Sequence, residues 1–438
     1  MKGKALLFQF GILIKLYREV RFKVSKVKVI DSIMGSGKTS WAKEYMKKHQ
    51  DGKRFIYVSP YLQEIENNIL KDCPFLIQPD AKKGKGSKLQ HFKQLIVNGE
   101  SIITTHALFK LFDAEVMDLL KDAGYTLILD EVANVIDTLD KVTKKDIDIL
   151  LNANVIRIED RRVIWLDEGY NGVFDGRYAN IKYHAQEGNL YLHRDSVLFW
   201  TFPVTVFNLF DEAYILTYLF EGQIQRYYYD LFQVKYTYNS IQKLGKTYGL
   251  VDYDSSSENR NKYKNLINIY EGDLNSNYVS NGKVKGNEFS STWMRNAEEH
   301  TIDRLKKNLY TYFRKHCKTK SNNTLWTTLL DFKTKLQGKG YTKGFLPWTT
   351  RATNDYQDTH NLAFVYNRYM NPIEKSFFVD AGVKVNEDLL ALSDLLQWVW
   401  RSGIRKGEAE AINIYIPNLR MRTLLYQWLN HEEIKFKK

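Results

Sequence analysis

The chain has few of the residues that mark several protein classes. Of its 438 residues, only two are cysteine and only 7 are proline. Cys73 and Cys317 allow at most one disulfide bond, which excludes a disulfide scaffold, and neither has a CxxC partner for structural zinc. The low proline count, with 25 glycines, also excludes a collagen-like or proline-rich chain. We therefore expect a protein of a reducing, cytoplasmic setting.

The sequence also lacks a convincing targeting or membrane-spanning segment. Residues 5–14, ALLFQFGILI, form an apolar run that is too short to cross a bilayer. Lys15, Arg18 and Arg21 follow it, where a signal peptide would have a small-residue cleavage site. We predict a buried strand or short helix here, and no membrane partner.

The residues that are present favour a folded protein with a polyanionic partner. Apolar residues make up 44% of the chain and aromatic residues 14%, which excludes a disordered chain. The length is sufficient for two or three domains. Lysine and arginine number 64 against 51 aspartates and glutamates, a net charge of +13. This excess favours nucleic acid as a partner, ahead of a membrane.

The first part of the chain alternates between strand-like and helix-like segments. A helix is predicted over 38–49, and strands are predicted at 27–30, 54–59, 101–105 and 126–131. Such alternation is typical of a parallel sheet covered by helices. Residues 154–196 interrupt it with short runs such as IKYHA (181–185), which favour a small β-rich, antiparallel insertion.

The alternation returns in the second part of the chain. After a polar, loop-like segment (252–290), we predict strands at 324–330, 362–367 and 411–418 and a helix over 298–316. Each part thus has its own α/β core. We predict two α/β domains in tandem with parallel sheets, 1–225 and 226–438, with the insertion in the first.

The strongest motif is DSIMGSGKTS (31–40), which follows a strand and opens a helix. Glycines let the backbone turn tightly and direct its N–H groups at an anion, and the helix N-terminus adds positive charge. Lys38 is placed to reach the β- and γ-phosphates of ATP, and Thr39 to bind Mg²⁺. The alternative is a glycine-rich turn that binds no nucleotide. The candidate ATP-binding residues are Ser32, which stands where the strict pattern has glycine, and Gly35, Ser36, Gly37, Lys38 and Thr39.

A second motif, TLILDEV (126–132), brings two carboxylates to the end of an apolar strand. In a P-loop enzyme, Asp130 would hold Mg²⁺, and Glu131 would orient and deprotonate the attacking water. Alone, such a pair is often only a helix cap. With a GKT sequence upstream, we favour the catalytic interpretation.

A third motif is QWVWRSGIR (397–405), which we predict to lie on one helix over 386–405. Gln397, Arg401 and Arg405 are spaced i, i+4 and i+8, opposite a leucine stripe. One interpretation is an ordinary solvated face. The other is an arginine-finger helix, in which a second domain brings guanidinium groups to the γ-phosphate bound by the first.

Together these motifs resemble superfamily-two (DExx-box) helicases. SIMGSGKT resembles their first motif, LILDEV their DExx motif and QWVWRSGIR their sixth motif, although Arg405 lies eight residues after Gln397, where seven is usual. Either Arg401 or Arg405 is therefore a candidate finger. The resemblance covers about residues 27–425 and is closest to helicase-like replication proteins of bacteriophages.

The resemblance implies two RecA-like P-loop domains that bind ATP and Mg²⁺ in the cleft between them. It also implies a nucleic-acid partner, DNA rather than RNA, and replication proteins as further partners in the host cytoplasm. LTYLFEG (216–222) lies where the coupling motif belongs. The segments that resemble the nucleic-acid motifs supply the candidate contacts Ser59, Thr104, Thr105, His106 and Thr353.

Two segments and two other functions remain open. The lysine-rich loop 81–88 is either a contact to a nucleic-acid backbone or a solvated loop. The aromatic stretch 225–238 either stacks on bases or, as we favour, belongs to the core. The alternative functions are a viral packaging-type motor, which would need clustered nuclease carboxylates in the second half, and an ATP-gated nucleic-acid-binding adaptor without unwinding.

Overall fold

A computed structural model describes residues 27–167, 176–276, 286–350, 355–406 and 410–434. The apolar run 5–14 and the candidate contact Thr353 lie outside these ranges. Within them, no helix combines the length and the apolar character needed to cross a membrane.

The described residues form three β-sheets. The strands are β1 (Val27–Asp31), β2 (Arg54–Ser59), β3 (Ile102–Thr105), β4 (Tyr125–Asp130), β5 (Ile136–Thr138), β6 (Ile156–Glu159), β7 (Arg162–Trp165), β8 (Leu190–His193), β9 (Val197–Thr201), β10 (Glu212–Thr217), β11 (Tyr236–Leu244), β12 (Thr247–Asp252), β13 (Ile267–Ile269), β14 (Thr324–Thr327), β15 (Asn361–Phe364) and β16 (Ile412–Tyr415).

Helices cover the parallel sheets. Those of eight or more residues are α1 (Lys38–His49), α2 (Lys88–Val97), α3 (Lys144–Asn152), α4 (Ala179–Gln186), α5 (Ile224–Leu231), α6 (Glu299–Thr311), α7 (Pro372–Val379), α8 (Glu387–Val399) and α9 (Leu419–Leu429). Shorter α-helical pieces are Leu62–Glu64, Leu70–Asp72, His106–Phe109, Ala114–Leu120, Asn261–Lys264, Asp273–Ser276, Ser291–Asn296 and Lys333–Leu336.

The first sheet has seven strands in the order β12-β11-β1-β10-β4-β2-β3. All neighbours are parallel except the β11–β12 hairpin. Its central strands are buried on both faces, as the continuous apolar runs predict for a parallel sheet. The predicted elements at 27–30, 38–49 and 54–59 are confirmed. We refer to this sheet and its helices as the first half.

The first half extends past the boundary predicted at 225/226. β11 pairs in parallel with β1, and β12 returns beside it, so residues 236–252 belong to the first sheet. The sequence pattern was misleading because β11 and the edge strand β12 both carry mixed, partly exposed residues, and nothing local identifies the sheet that such strands join.

The insertion is an antiparallel sheet, which we call the middle sheet, in the order β5-β9-β8-β7-β6. It begins at Ile136 and ends at Thr201, a longer span than the predicted 154–196. IKYHA was predicted as a strand and is instead part of α4. Ile181 and Ala185 are both buried on α4, and their spacing of four residues is a helical one.

The second half has a four-stranded, fully parallel sheet in the order β13-β16-β15-β14. Strands were predicted at the positions of β14, β15 and β16, and these are confirmed. β13 was missed because it is a three-residue strand in a polar segment that was predicted to be a loop. The observed architecture is thus mixed α/β with two mainly parallel sheets and an antiparallel middle sheet.

Candidate nucleotide-binding site

The loop between β1 and α1 has the backbone that a phosphate-binding turn requires. Gly35 and Gly37 have φ values of 79° and 99°, in the left-handed region that favours glycine. Gly37 precedes α1, and no side chain among the described residues caps that helix end. The ring of Tyr248 in β12 lies so close to Gly37 that a Cβ there would overlap it. Both the backbone and the packing therefore require glycine at position 37.

The two serines of this loop have different surroundings. Ser32 is buried, and its hydroxyl accepts the N–H of Ile241 at 2.8 Å, which ties the loop to β11. The Ser36 hydroxyl is buried and has no hydrogen-bond partner within the described ranges. An unsatisfied buried hydroxyl inside a glycine-rich turn fits a loop built to receive a polar ligand such as a phosphate.

The Lys38 ammonium is folded back onto its own loop. It donates to the carbonyl oxygens of Ser32 and of Ile33, the latter at 3.1 Å. Burial lowers the pKa of Lys38, while Glu131, Asp31, Asp130 and Glu258 oppose this effect. The lysine therefore lies among carboxylates, at the position where a bound anion would be contacted.

Asp130 ends β4 and is held by a tyrosine. Tyr57 Oη donates a 2.7 Å hydrogen bond to its carboxylate. Burial raises the pKa of Asp130 to about 7, and the hydrogen bond from Tyr57 opposes the rise. A cation beside Asp130 would favour its ionised form. Together with the Thr39 hydroxyl, Asp130 provides the oxygen ligands that Mg²⁺ prefers, so these residues fit the metal.

Glu131 joins the site of the first half to the second half. Its backbone has a φ of 67°, and its N–H donates to the Leu216 carbonyl at 2.9 Å. Its carboxylate accepts a hydrogen bond from Gln397 Nε2 on α8 at 3.4 Å. The structure thus brings together the DExx-like pair and Gln397, 266 residues apart in sequence.

Asp31, the first residue of the glycine-rich motif, is a site residue that was not among the candidates predicted from the sequence. It is buried at the end of β1, and its two carboxylate oxygens accept the N–H groups of Leu219 and Phe220 at 2.8 and 2.9 Å. Burial raises the pKa of Asp31 to about 7. An aspartate that ends an apolar strand directly before the glycine-rich loop was the available signal.

The 216–222 segment, where a coupling motif was predicted, lies between the halves. Gly222 packs so closely against Leu389 of α8 that a Cβ would lie 2.6 Å from its backbone carbon. Gln223 Nε2 donates to Ser393 Oγ on α8 at 2.6 Å. Thr217 is fully buried at the end of β10. This segment is therefore packed between the β1–α1 loop and α8.

The two candidate arginines do not share a helix face with Gln397. The helix predicted over 386–405 ends at Val399, and a 3₁₀ turn, Gly403–Lys406, follows. Gly403 N–H bonds to the Thr359 carbonyl, so the chain leaves the helical path. Arg401 is 8% exposed, which contradicts the solvated-face interpretation for it, whereas Arg405 is exposed. The i, i+4, i+8 spacing was misleading because helical periodicity holds only while the helix continues.

The predicted nucleic-acid contacts lie at the carboxyl ends of β2 and β3. Ser59 and Thr104 are buried. Thr105 Oγ1 caps the short helix that follows β3, and His106 Nε2 is 2.9 Å from the Asp130 carbonyl oxygen. A role of these residues in nucleic-acid binding remains a prediction.

The aromatic stretch 225–238 belongs to the core, as we favoured. Tyr227, Tyr228 and Tyr229 on α5 are completely buried, and Tyr228 Oη donates to the Phe202 carbonyl. Stacking of these three rings on bases is therefore excluded in this structure.

The fold and the site define an α/β protein with mainly parallel sheets and a glycine-rich loop at the carboxyl edge of the first. Residues 136–200 match the family model of the YonV middle domain, and residues 261–429 match the YonV C-terminal Rossmann-like domain. The chain is 38% identical over 421 residues to the SPbeta prophage-derived uncharacterized protein YonV of Bacillus subtilis (strain 168), covering 93% of this chain and 100% of that protein. The chain belongs to the YonV family.

Two solved structures of XPD proteins are also similar. One is XPD in its apo form, with 12% identity, a TM-score of 0.48, and coverage of 93% of this chain and 96% of that one. The other is Xpd4 of S. tokodaii, with 12% identity, a TM-score of 0.45, and coverage of 98% of both chains. With TM-scores this low, neither likeness assigns a function to this chain, and the function is inferred from the site. The prophage origin of the YonV relative agrees with the predicted likeness to phage proteins.

Proposed function

We propose that this protein is an ATP-dependent nucleic-acid translocase or helicase of the superfamily-two type, with RecA-like halves. The observation that carries this proposal is the contact between Gln397 and Glu131 beside Lys38. A loop suited to phosphates and a catalytic-type carboxylate lie on one half, and the residue that contacts the carboxylate lies on the other. Such a site is completed only when two domains approach, which is how ATP-driven motors couple chemistry to movement.

In this proposal, ATP binds at the loop between β1 and α1. The N–H groups of Gly35 to Gly37 and the Ser36 hydroxyl donate to phosphate oxygens, and the N-terminus of α1 attracts the negative charge. Lys38 exchanges its bonds to the carbonyls of Ser32 and Ile33 for bonds to the β- and γ-phosphates. Burial lowers the pKa of Lys38, and the surrounding carboxylates oppose this lowering.

Thr39 and Asp130 are the residues that would hold Mg²⁺, which when bound neutralises charge that develops on the phosphates. Tyr57 orients the Asp130 carboxylate. Glu131 accepts a proton from the attacking water, and Gln397 positions Glu131 for this role. Arg401 or Arg405 supplies positive charge to the γ-phosphate when the halves close.

Movement of the halves would be transmitted through the 216–222 segment. Asp31 anchors its backbone at Leu219 and Phe220, next to the loop that contacts phosphate. Gly222, the last residue of the segment, and Gln223, which follows it, connect the segment to α8. Changes at the γ-phosphate can therefore reach α8 through a short, packed path.

The nucleic acid would cross the carboxyl edges of the two parallel sheets, where Thr105 and His106 lie and where Thr353 is predicted to contribute. The net charge of +13 favours such a polyanion. We propose DNA rather than RNA as the track, phage replication or repair as the setting, replication proteins as further partners and the host cytoplasm as the location.

The alternatives are less well supported. A packaging-type motor needs a nuclease centre, but within the described ranges no group of three or more His, Cys, Asp or Glu side chains is placed to hold a metal ion. An ATP-gated adaptor would not require a positioned catalytic base, whereas Glu131 is held by its backbone and by Gln397.

The test is the steady-state ATPase rate without nucleic acid and with single-stranded DNA, duplex DNA, forked DNA and RNA, with Glu131→Gln as the blank. We expect one nucleic acid to stimulate hydrolysis strongly in the wild type, and Glu131→Gln to bind ATP but hydrolyse it at least 100-fold more slowly. Equal rates with every nucleic acid would contradict a nucleic-acid motor, and a near-normal rate in Glu131→Gln would contradict the assigned base.

A further inference from the structure

A turn rich in lysine precedes α2, and the ATP site does not use it. Lys82, Lys83, Lys85 and Lys88 are all exposed. Within the described ranges, the side chains of these four lysines form no ion pair with an acidic residue. Only one acidic residue, Asp80, lies in the turn, so four positive charges oppose one negative charge. We call residues 80–88 the lysine turn.

The lysine turn has a defined shape, which hydrogen bonds within the turn and to α2 hold. The Asp80 N–H donates to His91 Nδ1 at 2.9 Å, and the Asp80 carboxylate accepts the Lys82 N–H at 2.9 Å. Gly84 is buried, and a Cβ there would lie 2.6 Å from the His91 nitrogen. The turn thus packs against the start of α2, and this packing fixes the positions of the four lysines on the surface.

The topology places the lysine turn at the carboxyl edge of the first sheet. Ile77 pairs in parallel with Ile102 at the start of β3, so the chain leaves Ile77 toward that edge. α2 then returns to the amino edge, where β3 begins. The turn therefore lies beyond the outer strand β3, at the same edge as Thr105 and His106. β3 is four strands from β1, about 19 Å from the ATP loop at normal strand spacing, so the turn serves a different anion.

The chemistry of the turn suits an extended phosphate chain. Lysines are point charges that bind phosphates without reading sequence. They stand beside the N-terminus of α2, whose first turn contains no acidic residue and whose dipole adds positive charge. A nucleic-acid backbone along the carboxyl edge is long enough to engage the turn and the ends of β2 and β3 together. An acidic protein partner could bind the four lysines without also reaching the ends of β2 and β3.

We propose that the lysine turn is a nucleic-acid backbone site, in which Lys82, Lys83, Lys85 and Lys88 contact successive phosphates next to the outer strand of the first sheet. This inference rests on the proposed function, because it assumes that the protein binds nucleic acid. The lysine turn would contact nucleic acid independently of its sequence, and the affinity for nucleic acid would depend on salt through these lysines.

The test compares triple variants of the full chain in fluorescence-anisotropy binding to labelled single-stranded DNA, duplex DNA and RNA from 50 to 400 mM salt. In the test variant, Lys82, Lys83 and Lys85 are each replaced by Gln; in a rescue variant each is replaced by Arg. The matched control replaces the three exposed lysines near the start of α3, Lys141, Lys144 and Lys145, by Gln. Thermal melting of each variant confirms that it is folded.

Each phosphate contact contributes about 0.9 to the slope of log affinity against log salt for duplex DNA and about 0.7 for a single strand. With three lysines replaced, we expect the Gln variant to lose about 2.7 units of slope on duplex DNA and about 2 units on a single strand, together with about tenfold in affinity at low salt. The Arg variant and the matched control should stay within about twofold of the wild type, since charge is kept in one and lost elsewhere in the other. If the wild type binds DNA with a steep salt slope and the Gln variant matches it, the proposed site is wrong while the proposed function stands. If the wild type binds no nucleic acid, the proposed function fails and this site with it.

Discussion

Replacing Asp31 by asparagine tests the electrostatics of the site, because Asp31 is a buried carboxylate directly before the ATP loop. Its side chain is 2% exposed and accepts two backbone N–H groups. Burial raises the pKa of Asp31 from 3.8 to about 7, since these hydrogen bonds replace only part of the lost hydration. The folded protein therefore holds the ionised form of Asp31 at a cost in free energy.

The sign and size of the effect follow from the raised pKa. The protonated form gives stability that is complete below the unfolded pKa of 3.8 and is lost as the pH rises through about 7. The difference between the Asp31 pKa in the unfolded and in the folded protein corresponds to about 4 kcal/mol in the free energy of unfolding. About 2.5 kcal/mol of this is lost between pH 5 and pH 8. Asparagine has no proton to lose. The free energy of unfolding of Asp31→Asn should therefore rise relative to that of the wild type by about 2.5 kcal/mol over this range.

The assay is urea denaturation followed by tryptophan fluorescence at pH 5, 6, 7 and 8 for the wild type and Asp31→Asn. The loss of one hydrogen-bond acceptor lowers the stability of the variant by a constant amount, so only the change with pH is diagnostic. Asp148→Asn, at an exposed position on α3, is the control. A difference between wild type and Asp31→Asn that stays constant from pH 5 to pH 8 would refute the buried, raised-pKa description of Asp31.

Three further predictions concern the ATP loop, the candidate arginine fingers and a partly buried ion pair at the start of β10. Lys38→Ala should abolish ATP hydrolysis and weaken ATP binding measured by calorimetry, and full ATPase activity in it would refute the assignment of the ATP loop. Arg401→Ala and Arg405→Ala should be compared at saturating ATP; the true finger should lose about 10³-fold in rate, and no loss in either would exclude both. At the start of β10, burial disfavours the Glu212 carboxylate, but hydrogen bonds from Lys53 (2.5 Å) and a tyrosine outweigh this and lower its pKa to about 2. Because Glu212 is partly exposed, Glu212→Gln should lower the free energy of unfolding by only about 2 kcal/mol at neutral pH. This difference from the wild type should disappear as the pH falls from 4.5 toward 2, and urea unfolding at a series of acidic pH values would measure it.

The parts of the fold set by local chemistry could be predicted from the sequence. A strand, a glycine-rich turn and a helix follow one another over 27–49, and each has its own local signal, so α1 was predicted with the bounds Lys38–His49 that the structure shows. The same holds for Asp130 and Glu131, which an apolar strand carries to the carboxyl edge of the first sheet.

The parts that depend on distant partners could not be predicted in the same way. Asp31 is defined by N–H groups 188 and 189 residues away, and no local pattern encodes that contact. The end of α8 at Val399 depends on a bond from Gly403 to Thr359, another distant residue. β11 belongs to the first sheet through its pairing with β1, which the mixed composition of this partly exposed strand does not reveal.

In the proposed function, ATP hydrolysis moves the protein along nucleic acid, and stimulated hydrolysis alone does not demonstrate this movement. The most direct measurement is ATP-dependent displacement of streptavidin from the biotinylated end of a DNA or RNA strand, with Lys38→Ala as the inactive control. A motor predicts fast displacement from one end with ATP, and none without ATP or with Lys38→Ala. Nucleic-acid-stimulated hydrolysis without displacement from either end would contradict translocation and identify the protein as an ATP-gated binding switch.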